Sequence, residues 1–228
     1  MRASPFLLKT KRRPMTMRDR LAVLGAAAAA ATLALGAAAA DELNGKQLYL
    51  TRTCVACHGK GGAKAIQSYP NLAGLDADYL YREMKDIAEG KRVSGPDARG
   101  YPRTQAMKDV MNVATDDELK AIAAWLAAQA PPPVVVGDAA RIARGAEAYS
   151  NSACGGCHGD GGAKPLETMP VVAGQKKDYV LLQIKEIRSG VRANGQAGMM
   201  KDVIEHLSDD DAEAIAEYLS STVRAAGK

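Results

Sequence analysis

Large aromatic side chains are scarce in this chain of 228 residues, which has one Phe and one Trp and is only 4% aromatic. A core with so few rings needs many small side chains, or another large apolar group, to reach the packing density of a protein interior. The charged fraction of 25% and the hydrophobic fraction of 47% are typical of neither a disordered tail nor a polytopic membrane protein. Cysteine is scarce as well, and the placement of its four residues is informative.

Basic residues are concentrated in the first 40 positions, which hold seven of them and a single acid. An uncharged stretch from Leu21 to Ala40 follows and ends in small residues, as in a secretory signal peptide. We therefore predict a signal peptide over residues 1–40 and export to the periplasm. The alternative is an uncleaved transmembrane anchor, because 20 apolar residues can span a bilayer. Twelve of these residues are Ala, which favours cleavage.

Positive charge is not in excess outside this leader. The remaining 188 residues carry 23 basic and 25 acidic groups, for a net charge of −2. Since phosphate binding depends on clustered Lys and Arg, the sequence predicts that nucleic acid is not a partner.

The chain after the leader contains the same unit twice. At an offset of 100, Cys54–Gly59 matches Cys154–Gly159. The first copy has extra sequence around Pro96–Gln105, after which Met107–Val110 matches Met200–Val203 at an offset of 93. Self-similarity of this length indicates an internal duplication.

Three consecutive prolines separate the two copies. Pro131–Pro133 favours an extended, semi-rigid spacer because each ring fixes φ. We predict a first domain over 41–130, a Pro-rich linker over 131–137 and a second domain over 138–228.

Both domains are predicted to be helical. Thr115 and Glu118 form a capping-box pattern at the start of the last helix of the first copy. The aromatic pairs Tyr49 with Trp125 and Tyr149 with Tyr218 are expected to meet where the first and last helices cross. The segments between helices are rich in Gly and Pro, and we predict loops there and no strands. The predicted helices span 43–53, 76–89 and the segment from Thr115 in the first copy, and 139–151, 176–189 and the segment from Ser208 in the second.

Two Cys-x-x-Cys-His motifs, at 54–58 and 154–158, carry the chemistry. Cys-x-x-Cys alone is ambiguous among a redox dithiol, half of a zinc site and a disulfide, but a directly following His gives the attachment motif of a c-type haem. Two thioethers then hold the porphyrin, and the adjoining turn points the imidazole at the iron. A zinc site would combine the four cysteines, and a dithiol would be embedded in a βαβ pattern that is absent here. We predict haem attachment at Cys54, Cys57, Cys154 and Cys157, with His58 and His158 as iron ligands.

The sixth iron ligand is predicted to be a methionine. Met107 and Met200 are the methionines that occupy equivalent positions in the two copies. The alternative is a Met that merely fills a gap in the core. Met199 is the chief rival to Met200.

These residues resemble a known family. Cys54–His58, Met107 and the helix from Thr115 to Trp125 resemble a class I cytochrome c domain, and the tandem arrangement with Pro70 and Pro170 is similar to the di-haem cytochrome c4 family. The resemblance implies an all-α protein of two tandem domains, each wrapped around a covalent haem and related by approximate twofold symmetry. It also implies that the carbonyls of both prolines accept hydrogen bonds from the haem-binding histidines. The insertion in the first copy departs from the pattern, so the choice of partner near Met107 is open.

The expected function is the transfer of single electrons, because two six-coordinate irons leave no open position for a substrate. The resemblance implies redox partners such as membrane cytochrome complexes, terminal oxidases or a dehydrogenase. Membrane association would arise through such a partner or through an uncleaved leader. One alternative is the haem subunit of an enzyme, such as a flavocytochrome c sulfide dehydrogenase or another periplasmic dehydrogenase. A haem enzyme in its own right, such as a peroxidase or thiosulfate dehydrogenase, would need an open or unusual ligand position.

Overall fold

This computed structural model describes residues 44–224, which contain ten α-helices, two short 3₁₀ helices (Lys60–Gly62 and Asp160–Gly162) and no β-strand. The signal peptide predicted for residues 1–40 lies outside this range. Within 44–224, no helix has the length and apolar character needed to cross a membrane. The first copy contains α1 (Asn44–Thr51), α2 (Cys54–His58), α3 (Ala77–Ala88), α4 (Gln105–Met111) and α5 (Asp116–Ala127); the second contains α6 (Ala139–Asn151), α7 (Gly155–His158), α8 (Lys177–Arg188), α9 (Ala197–Ile204) and α10 (Asp209–Ser221).

The predicted start of the last helix in each copy is confirmed by its cap. Thr115 Oγ1 accepts a hydrogen bond from the Glu118 N–H, and Glu118 Oε2 accepts one from the Thr115 N–H at 2.8 Å. Ser208 Oγ accepts from the Asp211 N–H in the same position of the second copy. Each such cap satisfies amide donors that the first helical turn leaves unpaired.

The prediction of loops was wrong at two places, where the structure has helices α4 and α9. They are seven and eight residues long and have no side-chain cap at the N-terminus. Short helices without caps lack the start signals on which a sequence reading depends. The correction is relevant to the site, because Met107 lies on α4 and Met200 lies on α9.

The first and last helices of each copy cross at a glycine. A Cβ atom added to Gly45 on α1 would lie 2.5 Å from the Trp125 Cβ, and one added to Gly145 on α6 would lie 2.6 Å from the Ala214 carbonyl carbon. The predicted aromatic pairs lie at these crossings, with ring centroids 4.9 Å apart in the first copy and 5.7 Å apart in the second. The absence of a side chain therefore lets the two helices approach closely.

Helices α3 and α8 complete the two cores and also bring the copies together. Both copies belong to one compact unit that begins at Asn44. Glu83 on α3 accepts hydrogen bonds from Arg92, which follows α3, at 2.7 Å and from Arg192, which follows α8 of the other copy, at 3.3 Å. The insertion of the first copy also contacts the second, since the Gly95 N–H donates to Glu186 at 2.7 Å. The interface is thus a buried polar network.

Glu83 is ionised within this network. Burial alone would raise the pKa of its carboxyl, but the guanidinium groups of Arg92 and Arg192 outweigh burial and hold the pKa below its usual value. Since the folded pKa lies below the unfolded one, the stabilisation is present above the unfolded pKa and is lost as pH falls through the folded value.

Replacing Glu83 with Ala should leave Arg92 and Arg192 buried without their shared carboxylate. We expect the free energy of unfolding at neutral pH to fall by about 3–5 kcal/mol, the usual cost of removing one partner from a buried ion pair. Urea unfolding measures this change. Glu83→Gln is the matched control, since Gln183 occupies the equivalent position of the second copy, and it should lose clearly less. An Ala variant as stable as the parent protein would contradict the expectation.

Candidate haem sites

Each Cys-x-x-Cys-His motif lies on a short helix, which begins at Cys54 in the first copy and directly after Cys154 in the second. Thr53 and Ala153, directly before the first cysteines, have the left-handed φ values of 61° and 54°. Gly59 ends α2 with a φ of 72°, and a Cβ there would lie 2.7 Å from the Lys64 carbonyl carbon. The Tyr49 hydroxyl donates to the Gly59 carbonyl at 2.6 Å. Backbone turns on both sides thus fix the motif helix against α1.

The histidine of each motif is held in one tautomer. His58 Nδ1 lies 2.9 Å from the Pro70 carbonyl oxygen, and His158 Nδ1 lies 3.0 Å from the Pro170 carbonyl oxygen. A carbonyl only accepts, so Nδ1 carries the proton and Nε2 keeps a free lone pair. The two hydrogen bonds that the family resemblance implies are present.

His58 Nε2 is buried and has no hydrogen-bond partner among the residues that the structure describes. Burial lowers the pKa of both His58 and His158, so both rings are neutral at physiological pH, which is the form that binds a metal. An orphaned buried nitrogen of this kind is rare and calls for a ligand.

A continuous apolar cavity of about 320 Å³ runs through both copies. It is lined by both motif histidines and by three of the four motif cysteines, Cys57 being the exception. The four cysteines form no disulfide, and burial raises the pKa of the Cys54 and Cys154 thiols. The apolar walls come from the same helices in each copy: Leu80, Met84, Met111, Ile122 and Leu126 in the first, and Val180, Ile184, Ile204, Ile215 and Leu219 in the second.

The predicted methionines also line the cavity. Met107 packs against the core of the first copy and Met200 against that of the second. Met199 reaches the cavity wall as well, but the residue is 59% exposed. Met169 lines the cavity too, and the sequence reasoning did not consider it. Its counterpart in the first copy is Tyr69, so comparison of the copies gave no signal for it.

The sequence analysis also did not identify the polar residues that line the cavity. Arg92, Arg192, Tyr79 and Tyr179 all line the cavity near the interface. Arg92 donates to the Tyr179 hydroxyl at 2.7 Å across the copies. The signal that could have found them is their recurrence at an offset of 100 in an otherwise divergent repeat.

These residues fit a haem in each copy. Two thiols stand beside a neutral imidazole with a free nitrogen, and an apolar cavity receives a thioether from a following helix. Two such helical units in tandem define a di-haem c-type cytochrome.

Comparison with known proteins gives the family. The family model for cytochrome c matches residues 43–130 and 142–222. The chain therefore belongs to the cytochrome c family, and its resemblance to the di-haem cytochrome c4 group is confirmed.

Individual relatives agree with this assignment. The thiosulfate dehydrogenase electron acceptor of Stutzerimonas stutzeri is 31% identical over 213 residues, which are 86% of this chain and 93% of the relative. Cytochrome c4 of Azotobacter vinelandii is 32% identical over 174 residues, covering 73% of this chain and 82% of the relative. The crystal structure of reduced recombinant cytochrome c4 from Pseudomonas stutzeri superposes with a TM-score of 0.65 at 27% identity, over 77% of this chain and 96% of that chain.

The general predictions of fold, cofactor and function are confirmed by these comparisons. The protein is all-α, with two tandem cytochrome c domains and two covalently bound haem c groups. It is an electron-transfer protein and not a catalytic enzyme. Its partners are redox proteins.

Proposed function

We propose a specific ligand set for the two haems. The neutral Nε2 of the motif histidines, fixed by the Pro70 and Pro170 carbonyls, is the single observation that supports it most. The packing of Met107 and Met200, each partly buried, against the two cores beside the same cavity supports thioether ligation. The proposed attachment residues are Cys54, Cys57, Cys154 and Cys157, and the proposed axial ligands are His58 with Met107 and His158 with Met200.

A bound haem would supply an iron that gains and loses one electron, and the surrounding chain would set its reduction potential. Ligation by Met and His raises the reduction potential, and burial together with hydrogen bonds to the histidine tunes it. With His58 and Met107 holding the first iron, and His158 and Met200 the second, no iron position would be left for a small substrate. The protein thus exchanges electrons with partners through the haem edges.

We propose that this exchange takes place in the periplasm. The predicted leader over 1–40 supports export, and the family match to 43–130 and 142–222 supports the proposed domains 41–130 and 138–228 with a linker at 131–137. Partners would dock weakly and over small areas, as redox encounters do. Membrane cytochrome complexes, terminal oxidases and periplasmic dehydrogenases are the proposed partner classes.

A dehydrogenase partner has specific support. A relative that aligns over 93% of its own length is the electron acceptor of a thiosulfate dehydrogenase. As a second candidate function, we therefore propose that this chain accepts electrons from a thiosulfate dehydrogenase. We prefer this enzyme to a flavocytochrome c sulfide dehydrogenase.

A stopped-flow experiment tests the carrier role. The oxidised holoprotein is mixed with thiosulfate and a thiosulfate dehydrogenase, and reduction of the haem absorption bands is followed. We expect two electrons to enter each chain, and we expect reoxidation when a cytochrome oxidase is added. Thiosulfate without the dehydrogenase is the control and should reduce nothing. If the chain alone oxidises thiosulfate, it has an open site and the ligand proposal fails.

A further inference from the structure

A buried glutamine of the second copy hydrogen-bonds to the backbone of the first. Gln175 Oε1 accepts from the Asn71 N–H at 2.8 Å, and Gln175 Nε2 donates to the Asn71 carbonyl at 2.9 Å. Both residues are buried, with exposed fractions of 6% and 8%. The amide of Gln175 therefore satisfies both backbone groups of one residue across the interface between the copies.

The peptide group that Gln175 contacts is the one that holds His58. The Pro70 carbonyl, which accepts from His58 Nδ1 at 2.9 Å, shares a planar peptide unit with the Asn71 N–H. His58, the Pro70–Asn71 peptide and Gln175 thus form one continuous chain of hydrogen bonds. In such a chain each bond polarises the next, so a peptide that donates through its N–H accepts more strongly at its carbonyl.

A second buried side chain holds the same segment. Arg224 donates through Nη1 to the Ala73 carbonyl of the first copy and through Nε to the Ala173 carbonyl of the second, both at 2.8 Å. Pro131 stands at the equivalent position of the first copy. Its ring has no donor, so only the second copy supplies this contact.

The chain of hydrogen bonds has no symmetric counterpart. Leu75 stands at the position of the first copy that matches Gln175, and its side chain has no polar atom. Leu75 therefore gives the Pro170–Val171 peptide no such partner, although His158 hydrogen-bonds to the Pro170 carbonyl in the same way as His58 does to Pro70.

We propose that Gln175 is a positioning residue for the haem of the other domain: by polarising the Pro70–Asn71 peptide it strengthens the hydrogen bond from His58 and lowers the reduction potential of the first haem. A stronger bond at Nδ1 makes the imidazole a more basic ligand, which favours ferric iron. The two haems of one chain thereby differ in potential through a residue of the interface. The inference rests on the proposed ligation of the first iron by His58.

The test is the variant Gln175→Leu, which replaces the glutamine with the type of residue that the first copy has at the equivalent position, Leu75. We expect the potential of the first haem to rise, and its paramagnetically shifted proton resonances to move, while the second haem is unchanged. The resonances of the two haems are assigned with the Met107→Leu variant. An equal change at both haems, or no change at either, would overturn the inference.

Two further variants separate this role from general loosening of the interface. Lys176→Met is the matched control, since Lys176 Nζ also crosses between the copies, to the Ala65 carbonyl at 2.9 Å, without touching the Pro70–Asn71 peptide. The variant removes a positive charge, which favours ferric iron, so it should raise neither potential, and a rise like that of Gln175→Leu would overturn the inference. Gln175→Glu keeps an oxygen for the Asn71 N–H, and a carboxylate accepts more strongly than an amide, so the potential of the first haem should not rise; a rise equal to that of Leu would contradict the role of this acceptor.

The same spectra distinguish failure of this inference from failure of the ligand proposal. A histidine bound to paramagnetic iron gives strongly shifted ring protons in the unsubstituted protein. If these are missing from the first haem, ligation by His58 fails. If they are present and Gln175→Leu does not move them, only the role of Gln175 fails.

Discussion

Replacing both Cys154 and Cys157 with Ala is expected to reduce the haem content from two groups per chain to one. The two thiols are the predicted points of covalent attachment in the second copy, whose cavity walls are apolar. The mirror variant, with Cys54 and Cys57 replaced, should lose the other haem. Haem per chain is measured from the absorbance of the pyridine complex relative to protein concentration.

The loss should also unfold the copy that loses its haem. Creating a cavity by a single Leu→Ala change costs about 2–5 kcal/mol, and a missing haem removes far more apolar volume. That cost is comparable with the entire stability of a small domain, about 5–15 kcal/mol. We therefore expect the helical circular dichroism to fall substantially in each double variant. Retention of two haems, or of full helicity with one, would contradict these assignments.

The scarcity of aromatic residues is consistent with this dependence. The core of the second copy is formed by short aliphatic side chains, including the fully buried Ala212 and Ala216, around a single buried ring, Tyr149. The fold thus leaves a large apolar space that its own side chains do not fill. Covalent haem provides the missing volume in both copies.

Local features of the fold could be predicted from the sequence. The cap at Thr115, the contact between Tyr49 and Trp125 and the helical character of each copy depend on short-range patterns or on the repeat, and the structure contains all of them. The cofactor motif is likewise contiguous. Such features are encoded within a few residues of each other or twice in the same chain.

The interface between the copies could not be predicted in this way. Gln175 and Asn71 are separated by 104 residues, and neither carries a local signal for the other. Comparison of the copies fails here because their equivalents, Leu75 and Val171, are apolar. Because the contact is asymmetric, the internal repeat gives no signal for it.

Replacing Met200 with Leu is expected to open the second iron, whereas replacing Met199 with Leu is not. Met200 packs against the second core beside the cavity, whereas Met199 is 59% exposed. Leu keeps the volume of Met but lacks the sulfur. The long-wavelength charge-transfer absorption of a sulfur–iron bond should fall by half in Met200→Leu and persist in Met199→Leu.

The potential of the second haem should fall in the same variant. Loss of the thioether removes the ligand that favours ferrous iron, and axial ligands as a whole set haem potentials over about 0.8 V. The open position should also bind carbon monoxide in the reduced state, with one equivalent taken up per chain. Met107→Leu should give the same result at the first haem, so the double variant should take up two equivalents. If Met199→Leu takes up carbon monoxide and Met200→Leu does not, the ligand is Met199, and α9 must turn in the holoprotein to bring that exposed side chain inward.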